Sequence, residues 1–289
     1  VTAFLVPENL ADSVRSDRSP RRDAWLAALP GLVDEFAGRW SLRVGPPFRP
    51  GGRCAWVAPA RDRAGRALVL KLAWRHDEAL HEADGLRVWN GDGVVRLYAG
   101  ATADATSVLL LERCHPGTAL GDVLPEAEQD PIVAGLLKRM WQAPADDTVF
   151  RPLRVMCDAW ADEFRRRRDE NSGLARAAIE LLRTLPATAD RQVLLCTDLH
   201  AGNILAAGRE PWLAIDPKPY VGDPAYDAVQ HLLNCEQRLR ADPIGLTDRM
   251  AGLLDVDRDR LRRWLFARCA QESLDQPELA EVAARLAPN

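Results

Sequence analysis

Lysine is nearly missing from this 289-residue chain: three of its 38 basic residues are Lys71, Lys138 and Lys218, and the others are arginine. Where arginine supplies almost all positive charge, each remaining lysine calls for a reason. No apolar run approaches the ~18–20 residues that a helical membrane span needs, so no contact with a membrane is expected. The first residues, Val-Thr-Ala-Phe-Leu-Val-Pro, carry no basic segment ahead of their short apolar stretch, so a secretory signal is not expected either. The six cysteines (Cys54, Cys114, Cys157, Cys196, Cys235, Cys269) contain no C-x-x-C pair, which argues against zinc and a disulfide framework and for reduced thiols in a cytoplasm. Excess charge is also lacking: 38 basic against 42 acidic side chains leave −4, and nucleic acid is not an expected partner. There is no internal repeat and no low-complexity tract. The hydrophobic share of 47% and charged share of 28% exclude a disordered chain.

What remains divides into two textures. Residues 1–40 have helical spacing through Trp25, Leu26, Leu29, Leu32, Val33 and Phe36. Short strands are predicted at 54–58 and 67–72 around a turn at Asp62 to Gly65, a helix over 77–89, and two more strands at 94–98 and 107–111. Beyond Pro116-Gly117 the spacing is helical, interrupted by a strand-rich island at 192–216. The expected fold class is α+β. An N-terminal lobe at 1–114 (helical leader 1–40 plus sheet 41–113) precedes a mainly helical C-terminal lobe at 115–289.

The island holds the densest polar cluster in an apolar setting. Asp198 and Asn203 precede a turn at Ala206 to Pro211, and Asp216 follows the return strand. If Ile204 pairs with Ile215 in an antiparallel hairpin, Asn203 and Asp216 share its open end, with Asp198 on the loop entering it. Oxygen donors of this type suit Mg²⁺, and a nearby carboxylate suits proton abstraction. Asp-x-x-x-x-Asn followed by an Asp at a strand end is the pattern of kinase-type phosphoryl transfer. Singly, each residue also fits a turn or a cap. In the N-terminal half Lys71 stands in an apolar strand, where an unpaired ammonium would be costly to bury. Glu82 on the following helix could pair with it, with Glu78 as the rival partner.

The segments LVLKL, HEADGLRVW, NGDGVVRLY, LLLERCHPG and CTDLHAGNIL…AIDPKPYVGDPAYD resemble the aminoglycoside phosphotransferase family. Within it they are similar to the aminoglycoside 6-phosphotransferase (streptomycin 6-kinase) and hydroxyurea phosphotransferase branch. The resemblance implies a two-lobed protein-kinase-like fold: a small N-terminal lobe with an antiparallel sheet and a larger, mainly helical C-terminal lobe. It implies ATP as donor, Mg²⁺, and a small hydroxylated acceptor, polar or cationic, phosphorylated by a cytoplasmic monomer. On the matching positions Asp198 is the catalytic base and Asn203 and Asp216 are the metal ligands. Lys71 is the phosphate lysine and Glu82 its partner. Glu112, Arg113 and Cys114 belong to the hinge that meets adenine, and Gly51, Gly52 and Arg53 to the loop over the phosphates. An acid after the second metal ligand braces the catalytic loop in this family, which gives Asp227 a supporting role.

Three departures stand out. Cys196 occupies a position often held by His, the phosphate loop lacks G-x-G-x-x-G, and Pro217-Lys218-Pro219 is too rigid for a phosphorylation-switched loop, so constitutive activity is expected. Asp223-Pro224 reads as a helix cap, and His200 as a packed or capping residue. Lys218 is open between a phosphate or acceptor contact and a solvated lysine. Asp158, Asp162, Glu236, Glu272 and Asp275 could attract a cationic acceptor or be surface charge. The rival functions are the same chemistry on hydroxyurea, a peptide antibiotic or an endogenous metabolite; a metal-dependent phosphoesterase built on Asp198, His200 and Asp216; and a non-catalytic nucleotide-binding module.

Overall fold

The computed structural model describes residues 4–143, 149–167 and 173–288, with the side chain of Glu78 outside the described atoms. The chain divides into two compact units, Val1–Gly117 and Thr118–Asn289. Among the described residues no helix is long and apolar enough to cross a membrane.

In the first unit, strands β1 (Arg43–Val44), β2 (Ala55–Arg61), β3 (Ala67–Trp74), β4 (Leu97–Ala103) and β5 (Thr106–Glu112) form one antiparallel sheet in the order β1-β2-β3-β5-β4. Helices α1 (Glu8–Asp17) and α2 (Pro20–Arg39) bury Leu10, Val14, Trp25, Leu29, Val33 and Phe36 against Trp56, Ala58, Leu68, Leu70 and Leu72. Strand side chains alternate between faces, so the even-numbered leucines of β3 face these helices and Lys71 faces the other way. Helix α3 (Glu82–Trp89) follows β3 through a 3₁₀ turn at Asp77–Ala79. The expected helix over 77–89 is thus split in two.

The strand expected at 94–98 starts only at Leu97 and runs on to Ala103. Gly91 (φ +83°) and Gly93 (φ +74°) redirect the chain. Val94 and Val95 are buried ahead of β4. The strand itself is an edge of small residues whose register shifts between Leu97 and Ala99, and such a strand has little apolar alternation to announce it.

The second unit contains α4 (Leu120–Val123), α5 (Glu126–Met140), α6 (Leu153–Arg167), α7 (Gly173–Thr184), α8 (Val229–Asn234), α9 (Glu236–Ala241), α10 (Pro243–Leu254), α11 (Arg258–Glu272) and α12 (Leu279–Leu286). Between α7 and α8 lie two short ribbons. Strand β6 (Val193–Leu195) pairs with β9 (Tyr220–Gly222), and β7 (Ile204–Ala206) pairs with β8 (Trp212–Ala214). The hairpin pairs Ile204 with Ala214 rather than Ile215. The Ile215 N–H instead donates to the Asn203 carbonyl at 2.9 Å, and the turn sets this register one residue away from the one expected. Strand β9 lies outside the expected island of 192–216.

The β6–β9 ribbon is seated tightly. A Cβ added at Gly222 would lie 2.5 Å from Leu153 Cβ on α6 and 3.2 Å from Leu195 Cδ1 on β6. Gly222→Ala should therefore destabilise the protein by about 1–3 kcal/mol, the usual cost of overpacking. Chemical denaturation would measure it, and an unchanged midpoint would show that α6 yields freely.

Candidate active site

In the first unit Lys71 sits in β3 between Val57 on β2 and Leu109 on β5. Its Nζ lies 2.7 Å from both carboxylate oxygens of Glu82. The two side chains are 8% and 3% exposed. Glu82 opens α3, where backbone N–H groups favour an acid. Neither charge could be buried alone, because removing one partner would strand the other. Glu82 is thus a partner of the strand lysine; the rival Glu78 lies outside the described side chains.

The other residues expected near the nucleotide have local tasks as well. The Glu112 N–H donates to the Arg96 carbonyl at 2.8 Å, and its Oε2 accepts from the Arg96 N–H at 3.0 Å. That N–H is therefore committed within the unit. The Arg113 guanidinium lies over the Phe48 ring, and Cys114 is buried. Gly51 has φ +82°, and a Cβ there would lie 2.4 Å from Pro7 Cβ. Its carbonyl accepts from Asn9 Nδ2 at 2.9 Å. The glycine is thus required by close packing against the chain entering α1. No such constraint falls on Gly52, where a Cβ would meet only the Ala55 carbonyl at 3.8 Å. Arg53 lines a shallow polar groove with Asn9, Asp12, Ser13 and Ser16.

In the second unit β6 delivers Cys196, Thr197 and Asp198 in sequence. Asn203 closes a 3₁₀ turn at Ala201–Asn203 and donates through Nδ2 to the Asp198 carbonyl at 3.0 Å. Asp216 follows β8 with φ +56°. Thr197 also has φ +56°, which is strained for a β-branched residue. Left-handed backbone thus occurs both just before Asp198 and at Asp216. Nothing in the sequence marks Thr197, since positive φ is a signal carried by glycine or asparagine.

What holds Thr197 is Asp227. Its fully buried carboxylate accepts from the Thr197 N–H at 2.6 Å, the Cys196 N–H at 3.0 Å and Trp141 Nε1 at 3.0 Å. Burial raises its pKa to about 6, against the opposing pull of these donors. Burial also raises the pKa of Asp198, opposed chiefly by Lys218, whose Nζ lies 3.2 Å from Asp198 Oδ2. The nearby Asp216 charge pushes in the same direction as burial. His200 accepts from the Gly202 N–H through Nδ1 at 3.1 Å, a capping role. Asp223 caps a 3₁₀ turn by accepting from the Ala225 N–H at 3.0 Å, and it also accepts from Arg260 Nε and Trp264 Nε1.

Other acids are engaged elsewhere. Asp158 pairs with Arg154, Asp162 with Arg183, Glu236 with Arg240, Glu272 with Arg268, and Asp275 with Arg167. Paired in this way, they attract a cation weakly. Asp130, His231 and Cys235 also come together. There Arg238 and Arg249 bond both Asp130 oxygens. Burial would raise the Asp130 pKa, but His231 and the two arginines hold it well below the usual range. This is an ion-pair hub tying α5 to α8, α9 and α10, without the open oxygen a metal would need.

Residues 39–275 match the family described as aminoglycoside/hydroxyurea antibiotic resistance kinase. The chain belongs to that family. It is 34% identical over 281 residues to a streptomycin 6-kinase of Streptomyces griseus, covering 93% of this chain and 90% of the relative. It is 36% identical over 274 residues to a hydroxyurea phosphotransferase of Kitasatospora aureofaciens, covering 90% of this chain and 76% of that one. Among solved structures it resembles an amicoumacin kinase in complex with AMP-PNP, Ca²⁺ and Ami, with a TM-score of 0.59, 15% identity and 95% of each chain covered. The fold is protein-kinase-like, and the protein is a kinase that uses ATP to phosphorylate a small molecule.

A pH dependence follows from the Asp227 brace. Its carboxyl titrates near 3.8 when unfolded and about 6 when folded, so the folded chain takes up the proton first. Between these values acidification favours the fold through this group, and that contribution is lost as pH rises through about 6. Protonation nevertheless weakens the charge-assisted bonds that position the loop. Turnover should fall as pH drops through about 6 with no parallel loss of thermal stability from this residue. A pH–rate profile beside melting curves tests this, and a rate that stays flat to about pH 5 would contradict it.

Proposed function

We propose that the protein transfers the γ-phosphoryl group of ATP to a hydroxyl of an aminoglycoside or aminocyclitol such as streptomycin, as a cytoplasmic monomer. The observation that carries this reading is the braced Asp198, bonded through its own carbonyl to Asn203, in a chain similar to two named streptomycin 6-kinases. Asp198 accepts the proton of the acceptor hydroxyl, and its burial brings its basicity closer to what that task needs. Lys71, fixed by Glu82, meets the α- and β-phosphates. The backbone of Arg113 and Cys114 meets adenine, and the segment from Gly51 to Arg53 lies over the phosphates.

The donor set fits Mg²⁺. Asn203 spends its Nδ2 on the Asp198 carbonyl, which orients the amide oxygen as an acceptor, and Asp216 adds a carboxylate; both are hard oxygen donors. When bound, the ion supplies charge neutralisation at the phosphates. The segment from Pro217 to Gly222 is tied down: the Lys218 N–H donates to the Cys196 carbonyl, and β9 pairs with β6. This supports activity without a phosphorylation switch. A second reading, hydroxyurea as acceptor, is favoured by the 36% identical phosphotransferase.

An ATP-consumption screen over aminocyclitols, aminoglycosides, peptide antibiotics and hydroxyurea, with NMR of the product, tests the acceptor. Streptomycin should give the higher kcat/KM, and turnover on hydroxyurea alone would replace the first reading with the second. Asp198→Ala should lower turnover by about 10²–10⁴-fold while nucleotide still binds; near-normal turnover would remove Asp198 from the mechanism. Lys71→Arg keeps the charge but not the compact ammonium, and should lower kcat/KM for ATP about tenfold or more. Unchanged ATP kinetics would leave Lys71 with a structural role only.

A further inference from the structure

The lysine beside the proposed base has no part in the reading above, and its setting is specific. Lys218 lies between β8 and β9 and is flanked by Pro217 and Pro219, whose rings restrict the backbone. Its N–H donates to the Cys196 carbonyl at 2.9 Å, and its carbonyl accepts from Thr197 Oγ1 at 2.6 Å. These two bonds fix Lys218 to the two residues immediately before Asp198. From that anchor its Nζ reaches Asp198 Oδ2 at 3.2 Å, in a pair whose side chains are 30% and 18% exposed.

We infer that Lys218 is a positioning residue for the transfer step: its ammonium holds Oδ2 of Asp198, so that Oδ1 stays turned to the acceptor hydroxyl. The inference rests on the assignment of Asp198 as base. A carboxylate held through one oxygen has less freedom to rotate about its terminal bond, and a nearby cation offsets its repulsion with the approaching anionic phosphoryl group. The choice of lysine has a physical reason in this arginine-rich chain. The Lys218 ammonium is a compact charge that meets Oδ2 of Asp198, whereas a planar guanidinium can fork across a carboxylate and take both oxygens. Arginine does this at Asp130, where Arg238 bonds both oxygens. At Asp198 the same fork would occupy the oxygen the acceptor needs.

The test is a set of variants of the full chain assayed for acceptor phosphorylation, with nucleotide affinity and melting temperature measured in parallel. Lys218→Met should lower kcat by about 10- to 100-fold with little change in KM for either substrate, the signature of lost alignment. Lys218→Gln, which is polar but lacks the charge and the reach of the ammonium, serves if the Met variant does not fold, and the same fall is expected. Lys218→Arg should not restore the rate. In an Asp198→Ala background Lys218→Met should cost little more, because the lysine acts through the carboxylate. The inference is overturned if Lys218→Met stays within about threefold of the parent, if KM rises while kcat holds, if Lys218→Arg is fully active, or if the two losses multiply. An active Asp198→Ala variant would sink the base assignment itself; an inactive one beside an active Lys218→Met variant would sink only the role of Lys218.

Discussion

The buried carboxylate of Asp227 is the interaction on which the loop carrying Asp198 depends. It has no contact with water, and such a charge persists only with donors on its oxygens. Three donors meet it, two from the loop backbone and one from Trp141 at the end of α5. The arrangement holds Thr197 in a left-handed conformation that a β-branched residue would not adopt alone. Asp198 is the next residue, so its direction follows from an acid 29 positions further along the chain.

Arginine and lysine divide the ionic work of this protein by geometry. Arginine joins separate elements where a carboxylate is gripped by a fork or shared, as at Asp130 with Arg238 and Arg249 and at Asp275 with Arg167. Lysine appears at Glu82 and Asp198, where a compact ammonium lies within 3.2 Å of the carboxylate in pairs confined to one unit each. Lys138 has no such setting. It is exposed, with a long 3.4 Å contact to the Leu253 carbonyl. The scarcity of lysine thus has a physical counterpart at two of three positions.

Much of this was legible in the chain because it rests on short periods. The alternation of β3 fixes which face Lys71 takes, and the hairpin brings Asn203 and Asp216 to one end even with its register one residue from expectation. Less legible were features that depend on distant partners. Strand β9 is three residues long and finds its register against β6, with a further bridge from Val221 to Pro152. The i,i+4 pairs at Arg154–Asp158, Glu236–Arg240 and Arg268–Glu272 follow from helical spacing. The pairs of Asp162 with Arg183 and Asp275 with Arg167 do not. Gly51 reads as a turn residue for a phosphate loop, while its structural requirement comes from Pro7, 44 residues earlier in the chain.

Cys196 stands where the resemblance leads to an expectation of histidine. An imidazole at that position would bring polar nitrogens that demand partners, and a thiol brings almost none. Here the side chain is fully buried, and burial holds its pKa well above the usual range, so it stays a neutral apolar group. The bracing passes instead to the backbone of the same residue: its N–H donates to Asp227 and its carbonyl accepts from Lys218. Backbone groups are present whatever the side chain. Once they carry the polar contacts, position 196 needs only a side chain small enough to fit beneath the loop, and cysteine meets that requirement.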